Sequence, residues 1–428
     1  MQARCLCYSM RILYFHQHFS TPAGATGTRS YEMARALVAR GQDVTMVCGT
    51  YGGGKTGLSG KPVKRIRRGE VDGIQVVEIC LPYSNHDGFL KRSITFLRFA
   101  LKSIGIACRT KYEVLFATST PLTAGIPGIA MRALKPRRPF VFEVRDLWPE
   151  LPREMGVITN PVVLGSMSVL EWLSYKCARV CIGLSPGIVK GIRRRCSGGK
   201  TVEMIPNGCD LDLFQPRSAA GIPACDDGAS SDNEEDEKTL RAVFTGAHGM
   251  ANGLDAVLDA AAVLKRRGRN DIELVFIGDG KLKPELVARA RAEELQNCTF
   301  LDPIPKIELA RKLRTYDAGL MILANVPAFY YGTSPNKFFD YIASGMPVIN
   351  NYPGWLADMI VDAKCGVAVP PGDPEALADA LERVADCPED REAMGANARK
   401  LAETEFDRKK LAQKFVDCLE QIGDGGSA

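Results

Sequence analysis

The run Thr333-Ser334-Pro335-Asn336-Lys337-Phe338-Phe339-Asp340 places a cation and a carboxylate one helical turn apart, just where a loop becomes a helix. Free N–H groups at a helix start attract anions. Lys337 adds a point charge suited to a diphosphate, and Asp340 offers two acceptor oxygens to a pair of vicinal hydroxyls. One ligand carrying a diphosphate and a ribose would satisfy both. The same residues also fit a capped amphipathic helix that leads through Gly345-Met346-Pro347 into the apolar Val348-Ile349, and that plainer reading stays open on sequence alone.

Three further constellations could do chemistry. Glu143-Val144-Arg145-Asp146-Leu147-Trp148-Pro149-Glu150 ends an apolar strand. Alternation puts Glu143 and Arg145 on one face and leaves Asp146 near the strand's mouth. The group could orient an acceptor hydroxyl, with Arg145 beside a phosphate and Glu143 and Asp146 as catalytic candidates, or it could be an internal salt bridge. The loop from His16 to Arg29 holds Gly24 and Gly27 and follows another apolar strand. His16 is a candidate proton carrier because imidazole ordinarily titrates near neutrality, although a histidine without function fits as well. Thr245-Gly246-Ala247-His248-Gly249 lies between a strand and a helix, where a parallel sheet presents its ligand crevice. Gly246 and Gly249 would let the backbone approach a phosphate, and a tight turn would need them too.

The elements that must hold these residues alternate between strand and helix. An apolar strand through Phe15, a helix from about Arg29 to Arg40 and a strand over Asp43-Val44-Thr45-Met46-Val47 read as a β-α-β unit, the building block of parallel sheets. Further strands are expected at Ile74–Ile79, Val114–Ala117, Phe140–Val144, Val180–Leu184 and Val202–Ile205. After Ile205-Pro206-Asn207-Gly208 the pattern breaks. The tract at 217–238 is too acidic and too poor in apolar residues to bury anything, and reads as a linker or insertion. A second alternating set begins at Arg241-Ala242-Val243-Phe244-Thr245-Gly246, with helices near Leu254–Arg266 and Pro284–Glu294 around the strand Glu273–Gly278.

With 428 residues the chain can form two domains of about 200 residues, each with its own core. A net charge of +5 is too mild to indicate a nucleic-acid partner, although Lys64-Arg65-Ile66-Arg67-Arg68, Arg137-Arg138 and Arg193-Arg194-Arg195 concentrate cations in the first half. The 14 cysteines have no repeating spacing and no leader-like stretch before them, so free thiols in a reducing, cytoplasmic setting are expected. The pairs Cys5-x-Cys7 and His16-x-His18 are separated by the strand-like Met10-Arg11-Ile12-Leu13-Tyr14-Phe15, roughly 20 Å or more at about 3.3 Å per residue, too far to share a zinc. No metal site is therefore expected, and no run of about 18 apolar residues suggests a membrane span.

The stretch from Thr333 to Ile349 resembles the donor-nucleotide motif of retaining GT-B glycosyltransferases of family 4, in which Pro, Lys and an acid precede a small-Gly-x-Pro-Val turn. It is similar to the branch of N-acetyl amino-sugar transferases of bacterial O-antigen and capsule assembly. The resemblance implies an α/β GT-B fold, two Rossmann-like domains facing each other across a cleft, with transfer in that cleft. It implies an acceptor-binding domain over 1–216, the linker at 217–238, a nucleotide-sugar domain over 239–405, and a helix at 406–428 returning to the first domain. Donor contacts would come from Gly246, His248, Gly249, Gly278, Pro303, Ile304, Thr333, Ser334, Asn336, Lys337 and Asp340; Gly24, Gly27, Arg29 and Arg145 would meet the acceptor. Catalytic roles would fall to Lys337, Asp146, Glu143 and His16. The family pattern differs here in three places. Its first acid, eight positions before Asp340, is Gly332; its donor-side Arg and Lys are replaced in a region holding Ala247, His248 and Asn252; and Arg145-Asp146 stands where relatives carry His-Asp.

The resemblance further implies a UDP-linked donor, no cofactor beyond that substrate, and an acceptor sugar on a polyprenyl diphosphate. A face of Leu90, Ile94, Leu97, Leu101 and Ile104, flanked by Lys91, Arg98 and Lys102, suits an anionic membrane surface, with the protein peripheral on the inner side of the cell membrane. It equally suits a core helix with a solvated edge. Two other functions remain open: a nucleotide-sugar 2-epimerase of the same architecture, which would turn over donor without acceptor, and a non-catalytic membrane-associated assembly subunit, which would show no turnover.

Overall fold

The computed structural model describes residues 9–82, 88–196, 199–217 and 240–424; Cys5, Cys7 and nearly all of the acidic tract lie outside them. The chain forms two units. The first takes the chain up to Pro206, then Tyr331–Ser334 and the chain from Lys409; the second takes Asn207–Tyr330 and Pro335–Arg408.

The first unit is built on an eight-stranded sheet in the order β3-β4-β2-β1-β5-β6-β7-β8. Its strands are β1 (Arg11–Phe15), β2 (Asp43–Gly49), β3 (Ile66–Val71), β4 (Ile74–Ile79), β5 (Val114–Thr118), β6 (Phe140–Val144), β7 (Val180–Gly183) and β8 (Thr201–Met204). All pairings are parallel except β3 with β4. Alternation along β1 divides the apolar side chains between two layers. Ile12 and Tyr14 pack with Met33 and Leu37 of the Arg29–Ala39 helix and with Phe415 and Leu419 of the Arg408–Asp424 helix. Phe415 meets Phe116 edge-on at 5.1 Å, and Arg40 pairs with Asp417 at 2.8 Å. Leu13 and Phe15 face the opposite layer, against Phe99, Ile106, Leu122 and Tyr175.

The Phe89–Arg109 helix of that second layer buries Phe99, Ala100, Ser103, Ile106 and Ala107 against the sheet. Its other face is left out of the core: Leu90 is 71% exposed, Leu97 49% and Leu101 58%. Only Ile104, of the apolar stripe seen in the sequence, packs against the core. No helix among the described residues is long and apolar enough to cross a membrane.

The second unit carries a six-stranded sheet, β11-β10-β9-β12-β13-β14, all of it parallel. The strands are β9 (Leu240–Thr245), β10 (Ile272–Ile277), β11 (Cys298–Leu301), β12 (Ala318–Met321), β13 (Val348–Asn350) and β14 (Gly366–Ala368). In both sheets the order runs one way from a central strand and then reverses, between β1 and β5 in the first and β9 and β12 in the second. Loops leaving such adjacent strands splay to opposite faces and open a crevice at the strands' carboxyl ends. His16 follows β1, Ser119 follows β5 and Gly246 follows β9, so the reversals fall at the glycine-bearing loops.

Candidate functional site

In the second unit, Lys337 sits at the start of the Asn336–Ala343 helix, whose N-cap Pro335 makes no side-chain cap. Its ammonium donates to Asn252 Oδ1 at 2.8 Å and lies 3.9 Å from the centre of the Phe244 ring. Asn252 in turn donates to the Ala247 carbonyl at 2.6 Å, so one amide ties the lysine to the glycine loop. Desolvation, with no carboxylate to offset it, brings the Lys337 amine down to about 7. A cation held this way gains most from an incoming anion.

The loop around it is shaped by backbone conformation. Gly246 has φ +132° and Gly278 has φ +152°, values that L side chains rarely adopt, and a Cβ on Gly278 would collide with the Gly246 carbonyl. Tyr341, one residue after Asp340, accepts a hydrogen bond from Thr245 N at 2.8 Å and thereby locks the end of β9 to the lysine's helix. His248 is fully buried between Phe244, Phe276 and Phe300, with neither ring nitrogen hydrogen-bonded among the described residues. Burial first, then Lys283 and Lys337, lowers its pKa to about 4, so the ring is neutral. Gly249 is half-buried beside it.

Asp340 points elsewhere. Its Oδ1 lies 3.4 Å from the Lys306 ammonium, and both side chains are nearly buried. Burial raises the Asp340 carboxyl, against the opposing pull of Lys306 and Arg408. Oδ1 accepts no hydrogen bond among the described residues, so it retains acceptor capacity. Lys306 directly follows the Pro303-Ile304-Pro305 turn, in which Pro303 is exposed and Ile304 half-buried. The sequence offers no signal for the Lys306 or Tyr341 contacts, because each partner comes from a different element. Thr333, buried, and Ser334, half-buried, belong to the segment that groups with the first unit, where Ser185 Oγ donates to the Tyr331 carbonyl at 3.0 Å.

In the first unit the structure joins Arg29, Glu143 and Arg145 into one network. Arg29 and Glu143 are 1% and 0% exposed and paired at 2.8 Å. Arg29 also donates to the carbonyls of Ile205 at 2.8 Å and Pro206 at 2.6 Å. Thr118 donates to Glu143 at 2.8 Å, and Arg145 approaches it at 3.4 Å. Burial would push the Glu143 carboxyl up, but the two guanidinium groups and the Thr118 hydroxyl hold it below the ordinary range. The expected acceptor contact from Arg29 and direct chemistry from Glu143 are therefore corrected: both side chains are enclosed and occupied with each other.

Arg145 remains partly open. Its Nε donates to Thr118 Oγ1 at 2.9 Å, its NH2 to Ser30 Oγ at 3.2 Å, and its backbone N to Ser119 Oγ at 2.8 Å. Next to it the half-buried Asp146 has a carboxyl raised to about 6 by desolvation, with Arg145 opposing. His16 is 2% exposed, and burial followed by Arg145 and His18 drives its pKa well below the ordinary value. The expected near-neutral imidazole at His16 is corrected accordingly: the ring stays uncharged. Asp146 is the group here that titrates near neutrality. Gly24 is packed against Ser20 and the Lys55 backbone, while Gly27 is half-buried in the same loop. The described cysteines are free thiols.

The fold defines the class: two α/β units with parallel sheets in the GT-B arrangement of elements. Sucrose-phosphate synthase of Thermosynechococcus elongatus superposes with a TM-score of 0.74 at 17% identity, over 97% of this chain and 100% of that one. Anabaena Alr3699/HepE in complex with UDP-glucose gives 0.67 at 17% identity, over 96% and 100%. Residues 24–208 match the family model "Glycosyl transferase 4-like domain" and residues 228–401 match "Glycosyl transferases group 1". The amylovoran biosynthesis glycosyltransferase AmsK of Erwinia amylovora is 26% identical over 171 residues, 40% of this chain and 42% of that one. The chain spans about half or less of the length of the curated relatives it matches.

Proposed function

We propose that this protein is a retaining glycosyltransferase that moves a sugar, an N-acetylated amino sugar, from a UDP-sugar bound by the second unit to a polyprenyl-diphosphate-linked sugar bound by the first. The observation that carries this reading is Lys337: a desolvated amine with no carboxylate partner among the described residues, beside a glycine loop, at a helix start without a side-chain cap. It is supported by the family match, by the UDP-glucose complex of Alr3699/HepE, and by AmsK's place in amylovoran biosynthesis. In this reading Lys337 and the helix N–H groups stabilise charge growing on the departing diphosphate, and no role is assigned to a metal. The departing phosphate takes the acceptor proton, with Arg145 placed to meet an acceptor phosphate and Asp146 beside it to orient the acceptor hydroxyl. A panel of nucleotide sugars scored by thermal stabilisation, followed by mass spectrometry of products with a lipid-linked sugar, tests it. Sugar nucleotide consumed without any acceptor would replace transfer by epimerisation or hydrolysis, and binding without turnover would make the chain a non-catalytic subunit.

Asp340 is assigned to the ribose through its Oδ1, which faces the Lys306 ammonium at 3.4 Å and accepts no hydrogen bond among the described residues. Asp340→Asn is expected to weaken UDP binding about tenfold, and 2′,3′-dideoxy-UDP should bind the wild type as poorly as UDP binds the variant. Equal affinity of the wild type for UDP and its dideoxy analogue would remove the ribose role.

The exposed face of the Phe89–Arg109 helix is assigned to an anionic membrane surface on the inner side of the cell membrane. Changing Lys91, Arg98 and Lys102 together to Gln removes three cations, each contributing about 1 kcal/mol near such a surface. Binding to anionic vesicles should fall by about a hundredfold while UDP binding is unaltered. A wild-type protein that ignores anionic vesicles at low ionic strength would end the membrane assignment and leave the transferase intact.

A further inference from the structure

At about 100° per residue, Leu90, Ile94, Leu97 and Leu101 of the Phe89–Arg109 helix share one exposed face, and Lys91, Arg98, Lys102 and Arg109 gather about a quarter turn round from it. Arg92 belongs to neither group. It falls within about 40° of Phe96, Phe99 and Ser103, on the face opposite the exposed stripe. Phe99 and Ser103 are buried there, and Arg92 and Phe96 are half-buried.

That inner face lies against the loop that follows β1. Phe96 meets the His18 ring edge-on with 6.1 Å between centroids, and His18 lies 5.0 Å from the Tyr51 ring. Burial first, then the positive charges of Arg145 and Arg92, lowers the His18 pKa to about 3. Two guanidinium groups from separate elements, one at the end of β6 and one on the helix, therefore bear on the same uncharged ring at the mouth of the first unit.

Helix chemistry does not account for Arg92. It closes the first turn, its N–H bonded to the Gly88 carbonyl at 3.1 Å, and that is the end of a helix where the dipole favours anions and disfavours cations. Gly88 makes no side-chain cap, and no acid stands in the first turn. On the β6 side Arg145 keeps donors in hand: its NH1 makes no hydrogen bond among the described residues, and Glu143 is held by Arg29. Two like charges facing one mouth repel, and an anion between them would relieve that cost.

We propose that Arg92 and Arg145 together hold the diphosphate of a lipid-linked acceptor, whose hydrocarbon lies along the exposed Leu90 and Ile94 side of the helix and whose sugar reaches Asp146. The inference rests on the acceptor clause of the proposed function and not on the identity of the donor.

The test titrates the full chain with farnesyl diphosphate in saturating UDP, which keeps the probe's diphosphate away from Lys337. Arg92→Gln and Arg145→Gln should each weaken binding about tenfold at unchanged UDP affinity. Arg109→Gln, the same charge loss roughly 25 Å along the same helix, should change it little. Farnesol, which lacks the anion, should bind wild type and Arg92→Gln alike. Because Arg92 faces inward, Arg92→Gln should bind phosphatidylglycerol vesicles as wild type does. An Arg92→Gln variant that keeps farnesyl diphosphate, or that loses phosphatidylglycerol vesicles while keeping it, would overturn the assignment, the second result making Arg92 a headgroup contact. Wild type that ignores farnesyl diphosphate would end the acceptor clause together with the inference, whereas UDP affinity in the same samples reports separately on the donor reading.

Discussion

Lys337→Ala is expected to lower both UDP affinity and transfer rate by about 10²–10³-fold, the scale seen when one preorganised charge donor to a developing anion is removed. The fold should survive, because among the described residues the ammonium donates one side-chain hydrogen bond, to Asn252, and its burial disfavours its own charge. Its pH signature is specific. With the free protein's amine at about 7 and a bound diphosphate raising it, complex formation takes up a proton above neutrality. UDP affinity should therefore fall as pH rises from about 7 to 8.5, by up to tenfold per unit. Titration calorimetry in buffers of different ionisation heat measures that uptake directly. In the absence of ligand the sign reverses: the unfolded chain holds the proton that the folded chain has released, so this residue's contribution to stability grows as pH rises from about 7 towards the ordinary lysine value. Wild-type affinity that is flat across this window, or a folded Ala variant with unchanged affinity and turnover, would remove Lys337 from the donor site.

The second large effect is on stability. Glu143→Gln keeps the shape of the side chain but leaves Arg29 buried beside an uncharged partner, and breaking such a pair typically costs about 3–5 kcal/mol. Guanidinium unfolding should show the first unit's transition moved to lower denaturant, with the second unit's transition in place. Arg29→Met combined with Glu143→Leu should recover much of the loss, since an apolar pair of similar volume carries no unpaired charge. The lowered carboxyl of Glu143 means that its stabilisation is complete above the ordinary carboxylate range and disappears as acid takes the pH down through the folded-state value. A Gln variant as stable as the wild type would show that this pair does not hold β6 to the Arg29–Ala39 helix.

Local pattern carried much of this protein's design. Strand and helix alternate along the chain with periods that depend only on near neighbours, so β1, β2, β4, β6 and β7 were legible to within a residue or two, as was the helix bearing Lys337. One strand was not. Ile66–Val71 reads as a basic cluster because it is an edge strand, half-buried or exposed throughout, where Arg67 and Glu70 can stand without spoiling a core. Partner choice was beyond the sequence altogether. Arg29 and Glu143 are 114 residues apart and Lys337 and Asn252 are 85 apart; each pair meets only because its elements lie side by side in the folded unit. The same holds for charge state. His16 and Asp146 begin with ordinary titration behaviour; burial, reinforced by Arg145, leaves the histidine neutral, while burial against the pull of Arg145 lifts the carboxyl to about 6. The Phe89–Arg109 stripe fitted either a core or a surface until the sheet took Phe99 and Ile106 and left Leu90 and Leu101 in solvent. Periodicity assigns a face to a helix, but which face meets the sheet depends on packing volume and strand order, properties that exist only once the whole unit has assembled.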